Sequence, residues 1–135
     1  IDTGAGISDV VLYAVSMATE VIVLATPEPT SMTDAYATIK VLAAQQSREK
    51  LHLVVNQVAR PGDGRAICQQ LQQVVDRFVV SPTGVVPKLQ FLGDIPFDPS
   101  VREAVRKRQL LLELHPGSAA ALGVNQVAVR LLGRA

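Results

Sequence analysis

The sequence predicts an α/β fold, a parallel sheet whose strands are joined by crossover helices. Two observations carry this. Three β-branched apolar runs recur along the chain, and segments with helical spacing separate them. Such alternation marks βαβ units, which bury a parallel sheet between helices in a Rossmann-like, three-layer arrangement. At 135 residues the chain fits one domain, since domains hold about 100–200 residues. With 48% hydrophobic and only 19% charged residues, it has the material for a core and lacks the composition of a disordered chain.

The elements follow in order. Ile1-Asp2-Thr3-Gly4-Ala5-Gly6 is an acidic, glycine-rich turn of the kind that follows a strand, and no initiator Met precedes it. The chain therefore reads as a piece of a longer protein. Val11, Ala14, Val15 and Ala18 share one face of a first helix. Val21–Thr26 is a first strand, apolar almost throughout, as strands buried on both faces are. Ser31 with Asp34 has capping-box spacing and opens a helix that buries Ala35, Ile39, Leu42 and Ala43. Leu51–Asn56 is a second strand of the same doubly buried kind.

Arg60–Gly64 then forms a loop, and Ile67, Leu71, Val74, Val75 and Phe78 line a third helix. After a loop at Ser81–Gly84, Leu89–Leu92 is the third strand. Asp98-Pro99 reads as N-cap and first turn of a fourth helix. Ser118 follows a Pro-Gly break and starts the last helix, with Ala120, Val124, Val127, Ala128 and Leu131 on one face.

Several functional classes drop out. A formal charge of +1 leaves no electrostatic footprint for bulk binding of nucleic acid or anionic membrane. The single Cys68 cannot form an internal disulfide, which fits a reducing, cytoplasmic setting. No apolar run approaches the roughly eighteen residues of a membrane span. His52, His115 and Cys68 lack metal-ligand spacing, and no nucleophile–His–acid set is present. None of Lys40, Lys50, Lys88 and Lys107 follows a glycine, so the phosphate-loop motif is missing from these residues.

In open parallel sheets, ligands bind beyond the carboxyl ends of the strands. The opening turn, Thr26–Pro29, Asn56-Gln57 and Gly93–Asp98 all fall there. Asp2 with Gly4 and Gly6 suits a Mg²⁺–phosphate ligand, and suits equally an Asx-turn with glycines at positive φ. Asn56 can read a nucleobase edge with its donor and acceptor, although the commoner role of such an Asn is to bond its own loop. Asp34 and Asp98 serve as helix-capping acids in their simplest reading. Arg102, Arg106, Lys107 and Arg108 offer a phosphate or DNA contact, or merely complement the end of their own helix.

Three stretches resemble the MinD/ParA-type P-loop ATPases: Asp2–Ser8, Glu28–Tyr36 and Gly93–Arg102. Within that group they are most similar to FleN/FlhG, the regulators of flagellar number, and Glu28-Pro29-Thr30-Ser31-Met32-Thr33-Asp34-Ala35-Tyr36 is the most specific stretch. The resemblance covers Ile1 to about Leu132 and implies the C-terminal portion, residues 1–135, of one such ATPase domain. It implies that Asp2 is the Walker B-like aspartate holding Mg²⁺ through water, with Gly4 and Gly6 in switch II. Asn56 would read adenine, and Pro96 with Phe97 would close over the base. Asp34 would lie near the switch and dimer face.

The intact protein would then bind ATP with Mg²⁺, dimerise with itself, and hydrolyse ATP to reset. The dimer would restrain a flagellar transcriptional activator or a flagellar-placement GTPase. Two departures stand against a full transfer. The Walker A loop is missing from this chain, so the chain alone is expected to be inactive. No terminal amphipathic helix is evident at Leu132–Ala135, so membrane contact is not carried over. Two other readings remain: a protein-interaction module without nucleotide binding, and a ParA-like DNA-partitioning ATPase using the Arg102–Arg108 cluster. A sheet edge left unpaired in such a piece is expected to invite association.

Overall fold

The computed structural model describes residues 1–133. Its elements run α1 (Asp9–Ser16), β1 (Ile22–Ala25), α2 (Pro29–Gln46), β2 (Lys50–Val58), α3 (Asp63–Phe78), β3 (Lys88–Pro96), α4 (Pro99–Lys107), α5 (Leu111–Leu114) and α6 (Ala119–Leu132). The expected order holds, with the one-turn α5 added. The end of the Leu132–Ala135 tail lies outside the described residues.

The three strands form a parallel sheet in the order β1-β2-β3. One face carries the main core. Val23, Ala25, Leu51, Leu53 and Val55 meet Ala35, Ile39, Leu42 and Ala43 of α2 and Cys68, Leu71 and Val75 of α3. Leu12 and Val15 of α1 pack against the edge of the same cluster. The other face is thinner. It buries Val54 and Leu92, and the helices after β3 contribute buried Ala104, Ala120 and Ala121. α6 comes close to β3 at Gly123, where an added Cβ would stand 3.0 Å from the Asp94 carbonyl oxygen. Arg130 of α6 donates to the Leu92 carbonyl at 2.7 Å.

Four expectations need correction. β1 is buried on one face only: Ile22 and Leu24 are 44% and 58% exposed. They share a face with their register partners His52 and Val54, and the second helical layer packs on β3 instead of reaching over β1. In α3, Val74 and Phe78 are exposed, because the buried stripe runs through Gly64, Cys68, Leu71 and Val75. β3 continues to Pro96, so Gly93–Pro96 is strand and not loop.

The capping box at Ser31 does not form. α2 starts three residues earlier, with Pro29 in its first turn and Glu28 as N-cap, a position that suits proline's fixed φ and missing N–H. Ser31 Oγ accepts from the Thr26 N–H at 2.9 Å instead, fastening the β1–α2 loop. Asp34 is therefore an exposed residue of the second turn, not a capping acid. The caps at Asp98 and Ser118 do form, accepting from the N–H groups of Ser100 and Ala121.

Candidate functional site

The residues singled out by sequence fall into two clefts at the ends of the strands. The first, about 420 Å³, is lined by Asn56, Gln57, Pro96, Phe97, Asp98, Pro99, Val101, Arg102 and Val105. It brings Asn56 at the end of β2 together with Pro96 and Phe97 at the end of β3. The second, about 380 Å³, is lined by the opening segment Ile1–Gly6, the β1 residues Ile22–Leu24 and, from α2, Asp34 and Thr38. Asp2, Gly4, Gly6 and Asp34 thus share a cleft, and the two clefts have no lining residue in common.

A backbone irregularity shapes the first cleft. Gln57 has φ +58°, a left-handed conformation that a side chain seldom adopts, and the β2–β3 register shifts between Asn56 and Val58. Such a bulge re-aims the residues beside it. Asn56 Oδ1 accepts from the Gln57 N–H at 2.9 Å. That is the loop-closing bond of the simpler reading. It leaves the Asn56 amino group and one oxygen lone pair for a ligand. The remaining walls are mostly apolar, from Pro96, Phe97, Pro99, Val101 and Val105, with Gln57, Asp98 and Arg102 also at the cleft, and Phe97 is 63% exposed. A largely apolar slot with the Asn56 amide at its wall is suited to a planar heterocycle.

Two aspartates build the frame around it. Asp94 Oδ2 accepts from the N–H groups of Gly62 and Gly64, at 2.7 and 3.0 Å. It ties the start of α3 to β3. Asp98 joins two helices, accepting from Ser100 N–H at 2.9 Å and from Ala120 N–H at 3.0 Å. The Ala120 and Ser100 backbone bonds hold its carboxyl down at about 2. Neither its double role nor the Asp94 tie is legible from spacing, because both partners come from far along the chain.

In the second cleft Asp2 is exposed, and among the described residues no hydrogen bond or ion pair engages its carboxylate. Gly6 has φ +100°, whereas Gly4 has no positive φ, so one of the two glycines fits the expected turn. Among the described residues there is no group of three His, Cys, Asp or Glu side chains able to hold a metal ion. A Mg²⁺ ion at Asp2 would take its other ligands from phosphate and water, as Mg²⁺ commonly does. The donor set is compatible with that and with nothing more demanding.

The other polar candidates have structural partners. His52 Nε2 lies 2.7 Å from Glu20 Oε2, and His115 Nε2 lies 3.0 Å from Glu103 Oε2. Cys68 is buried, and burial pushes its thiol above the ordinary value despite nearby Arg65. Sequence reasoning placed Gln57 with Asn56 at the strand ends but did not name Val101 or Val105 as cleft residues. The four-residue spacing of the two valines after Pro99 is the signal that would have found them.

No family model matches the chain. It is 39% identical over 131 residues to the antiactivator FleN of Pseudomonas aeruginosa, a match covering 97% of this chain and 45% of FleN. It is 31% identical over 134 residues to the flagellum site-determining protein YlxH of Helicobacter pylori, covering 99% of this chain and 43% of YlxH. Among solved structures, the MinD cell division protein of Aquifex aeolicus matches with a TM-score of 0.68 at 22% identity, over 96% of this chain and 50% of that one. The chain is thus similar in sequence to FleN and YlxH over nearly its whole length. The MinD likeness shows the fold, an α/β parallel sheet with flanking helices. The chain spans less than half the length of the curated relatives it matches. Among the described residues no helix is long and apolar enough to cross a membrane.

Proposed function

We propose that this chain carries the base-recognising and switch-bearing part of a FleN/FlhG-like ATP-binding regulator of flagellar number or placement. The observation that carries the reading is the first cleft. Asn56, Pro96 and Phe97 come from strand ends about forty positions apart in a parallel sheet, yet they line one largely apolar slot with an amide at its wall. A purine can lie against Pro96 and Phe97 while Asn56 donates to a ring nitrogen and accepts from an exocyclic amine. The likeness to FleN and YlxH supports the flagellar assignment, and an ATP-binding relative from Methanocaldococcus jannaschii, 27% identical over 135 residues, supports the nucleotide.

In this reading Asp2 orients water around Mg²⁺, and the Gly4–Gly6 turn adjusts to the state of the phosphates. Asp34, across the same cleft, lies at the switch and dimer face. ATP-dependent homodimerisation is the regulatory step, and the partner is a flagellar transcriptional activator or a placement GTPase. Residues 1–135 act as part of one ATPase domain.

The test is titration of the chain with a fluorescent ATP analogue, with and without Mg²⁺. Saturable binding that Asn56→Ala weakens by about tenfold, the order expected for losing a bidentate amide contact, supports base recognition. An Asn56→Ala variant that binds as the parent does, or a folded chain that binds no analogue, overturns it.

A further inference from the structure

We propose that Gln57 is the positioning residue of the first cleft: its left-handed backbone fixes which end of the Asn56 amide faces a bound base, and so selects an aminopurine over an oxopurine. This rests on the base-recognising reading of Asn56 and moves one residue along, to the group that orients the amide. Gln57 is the odd residue of β2. Asn56 pairs with Ile95 and Val58 with Pro96, so Gln57 is the extra residue of a bulge. The backbone is pinned on both sides of it. Val55 and Val58 are fully buried, and the Phe97 N–H donates to the Val58 carbonyl at 2.9 Å. Between these anchors Gln57 stands at φ +58°, a region that side chains other than Asn and Asp seldom enter. Its own side chain is exposed at the cleft and, among the described residues, makes no hydrogen bond that would hold this conformation. What the conformation secures is the bond from its N–H to Asn56 Oδ1, at 2.9 Å.

That bond settles the amide. A backbone N–H donates to an oxygen and has nothing to offer an NH₂ group, so Asn56 cannot turn over without losing it. Nδ2 is left as the donor and Oδ1, through its second lone pair, as the acceptor, in one fixed order. An aminopurine offers a ring nitrogen beside an exocyclic amine and matches that order. An oxopurine offers a ring N–H beside a carbonyl, the reverse order, and an amide free to turn over would take either. The discrimination therefore sits in the backbone of Gln57 and not in a contact of its side chain.

The experiment measures displacement of a fluorescent ATP analogue from the chain by unlabelled ATP and by ITP, its oxopurine counterpart. The ratio of the two affinities is the readout, because a general loss of packing moves both nucleotides together. The parent chain favours ATP by at least about tenfold, and Asn56→Ala abolishes the preference. Gln57→Val, whose β-branched side chain is excluded from positive φ, brings the two affinities to within about threefold of each other. Gln57→Gly and Gln57→Asn keep the N–H and accommodate the left-handed backbone, so both retain the parent's preference. Circular dichroism checks folding, and where Gln57→Val is unfolded the parent supplies the test. Its Gln57 amide exchanges with deuterium more slowly than a free amide, and Asn56→Ala removes that protection. A parent that binds both nucleotides equally overturns the base reading and this inference with it. A preference that Asn56→Ala abolishes and Gln57→Val leaves intact overturns this inference alone. So does a loss in Gln57→Gly as large as in Gln57→Val, or a Gln57 amide that exchanges freely in the parent.

Discussion

Removing the Asp94 carboxylate tests whether the frame of the first cleft depends on one cross-connection. Asp94 accepts from the Gly62 and Gly64 N–H groups that open α3. Gly62 is exposed, so water replaces its lost partner at little cost. Gly64 is buried, and an added Cβ there would stand 2.7 Å from Asp94 Cβ, so the carboxylate and the helix start are closely packed. A buried N–H left without a partner costs about 1–3 kcal/mol, and loss of a capping acceptor costs about 0.5–2 kcal/mol. These overlap, so Asp94→Ala should destabilise by about 2 kcal/mol. Asp94→Asn keeps an oxygen in place and loses only the charge, so about 1 kcal/mol is expected. Urea unfolding followed by circular dichroism gives both values through the midpoint at constant slope. If Asp94→Ala unfolds within a few tenths of a kcal/mol of the parent, or if Asn costs as much as Ala, the argument fails.

Three further predictions use the same geometry. Asp98, held at about 2 from an ordinary 3.8, favours the folded state above pH 4, and that contribution is lost as pH falls toward 2. Acid unfolding of Asp98→Asn, which has no such proton to take up, should be less steep across that window. Arg48 donates to the carbonyls of Val15 and Ala18, at 3.0 and 2.8 Å, at the end of α1. Arg48→Ala should raise amide exchange in α1 by several-fold while α3 is unchanged, and uniform exchange across both helices would sink that reading. Gly123→Leu forces a side chain into the gap where a Cβ already meets the Asp94 carbonyl oxygen at 3.0 Å and Ile95 Cα at 3.3 Å. It should cost about 1–3 kcal/mol, measured by thermal unfolding, and a neutral result would mean that α6 is free to shift.

Much of the fold was legible in the chain because its signals are local. The strand–helix alternation, the buried stripe Ala35, Ile39, Leu42 and Ala43, and the caps at Asp98 and Ser118 all follow from spacing over a few residues. Periodicity shows which face of an element is apolar, but not whether a neighbour reaches it. Val21–Thr26 reads like Leu51–Asn56, yet among the described residues β2 is buried on both faces while Ile22 and Leu24 leave one face of β1 exposed. Phe78 keeps the helical period of its neighbours and still lies exposed, because α3 turns its Leu71–Val75 stripe inward.

The candidate site divides along the same line. Residue type and position at the ends of apolar strands made Asp2 and Asn56 candidates, and the resemblance to MinD/ParA-type ATPases favoured them and added the Pro96-Phe97 pair. Tertiary structure alone decided that Asn56 shares a cleft with Pro96 and Phe97 while Asp2 shares another with Asp34. It also decided that Asp94 and Asp98 are the ties that hold those walls in place. A sequence records which groups can make a hydrogen bond or bury a surface. Which partners they meet depends on segments brought together from distant positions, and that meeting is a property of the packed chain.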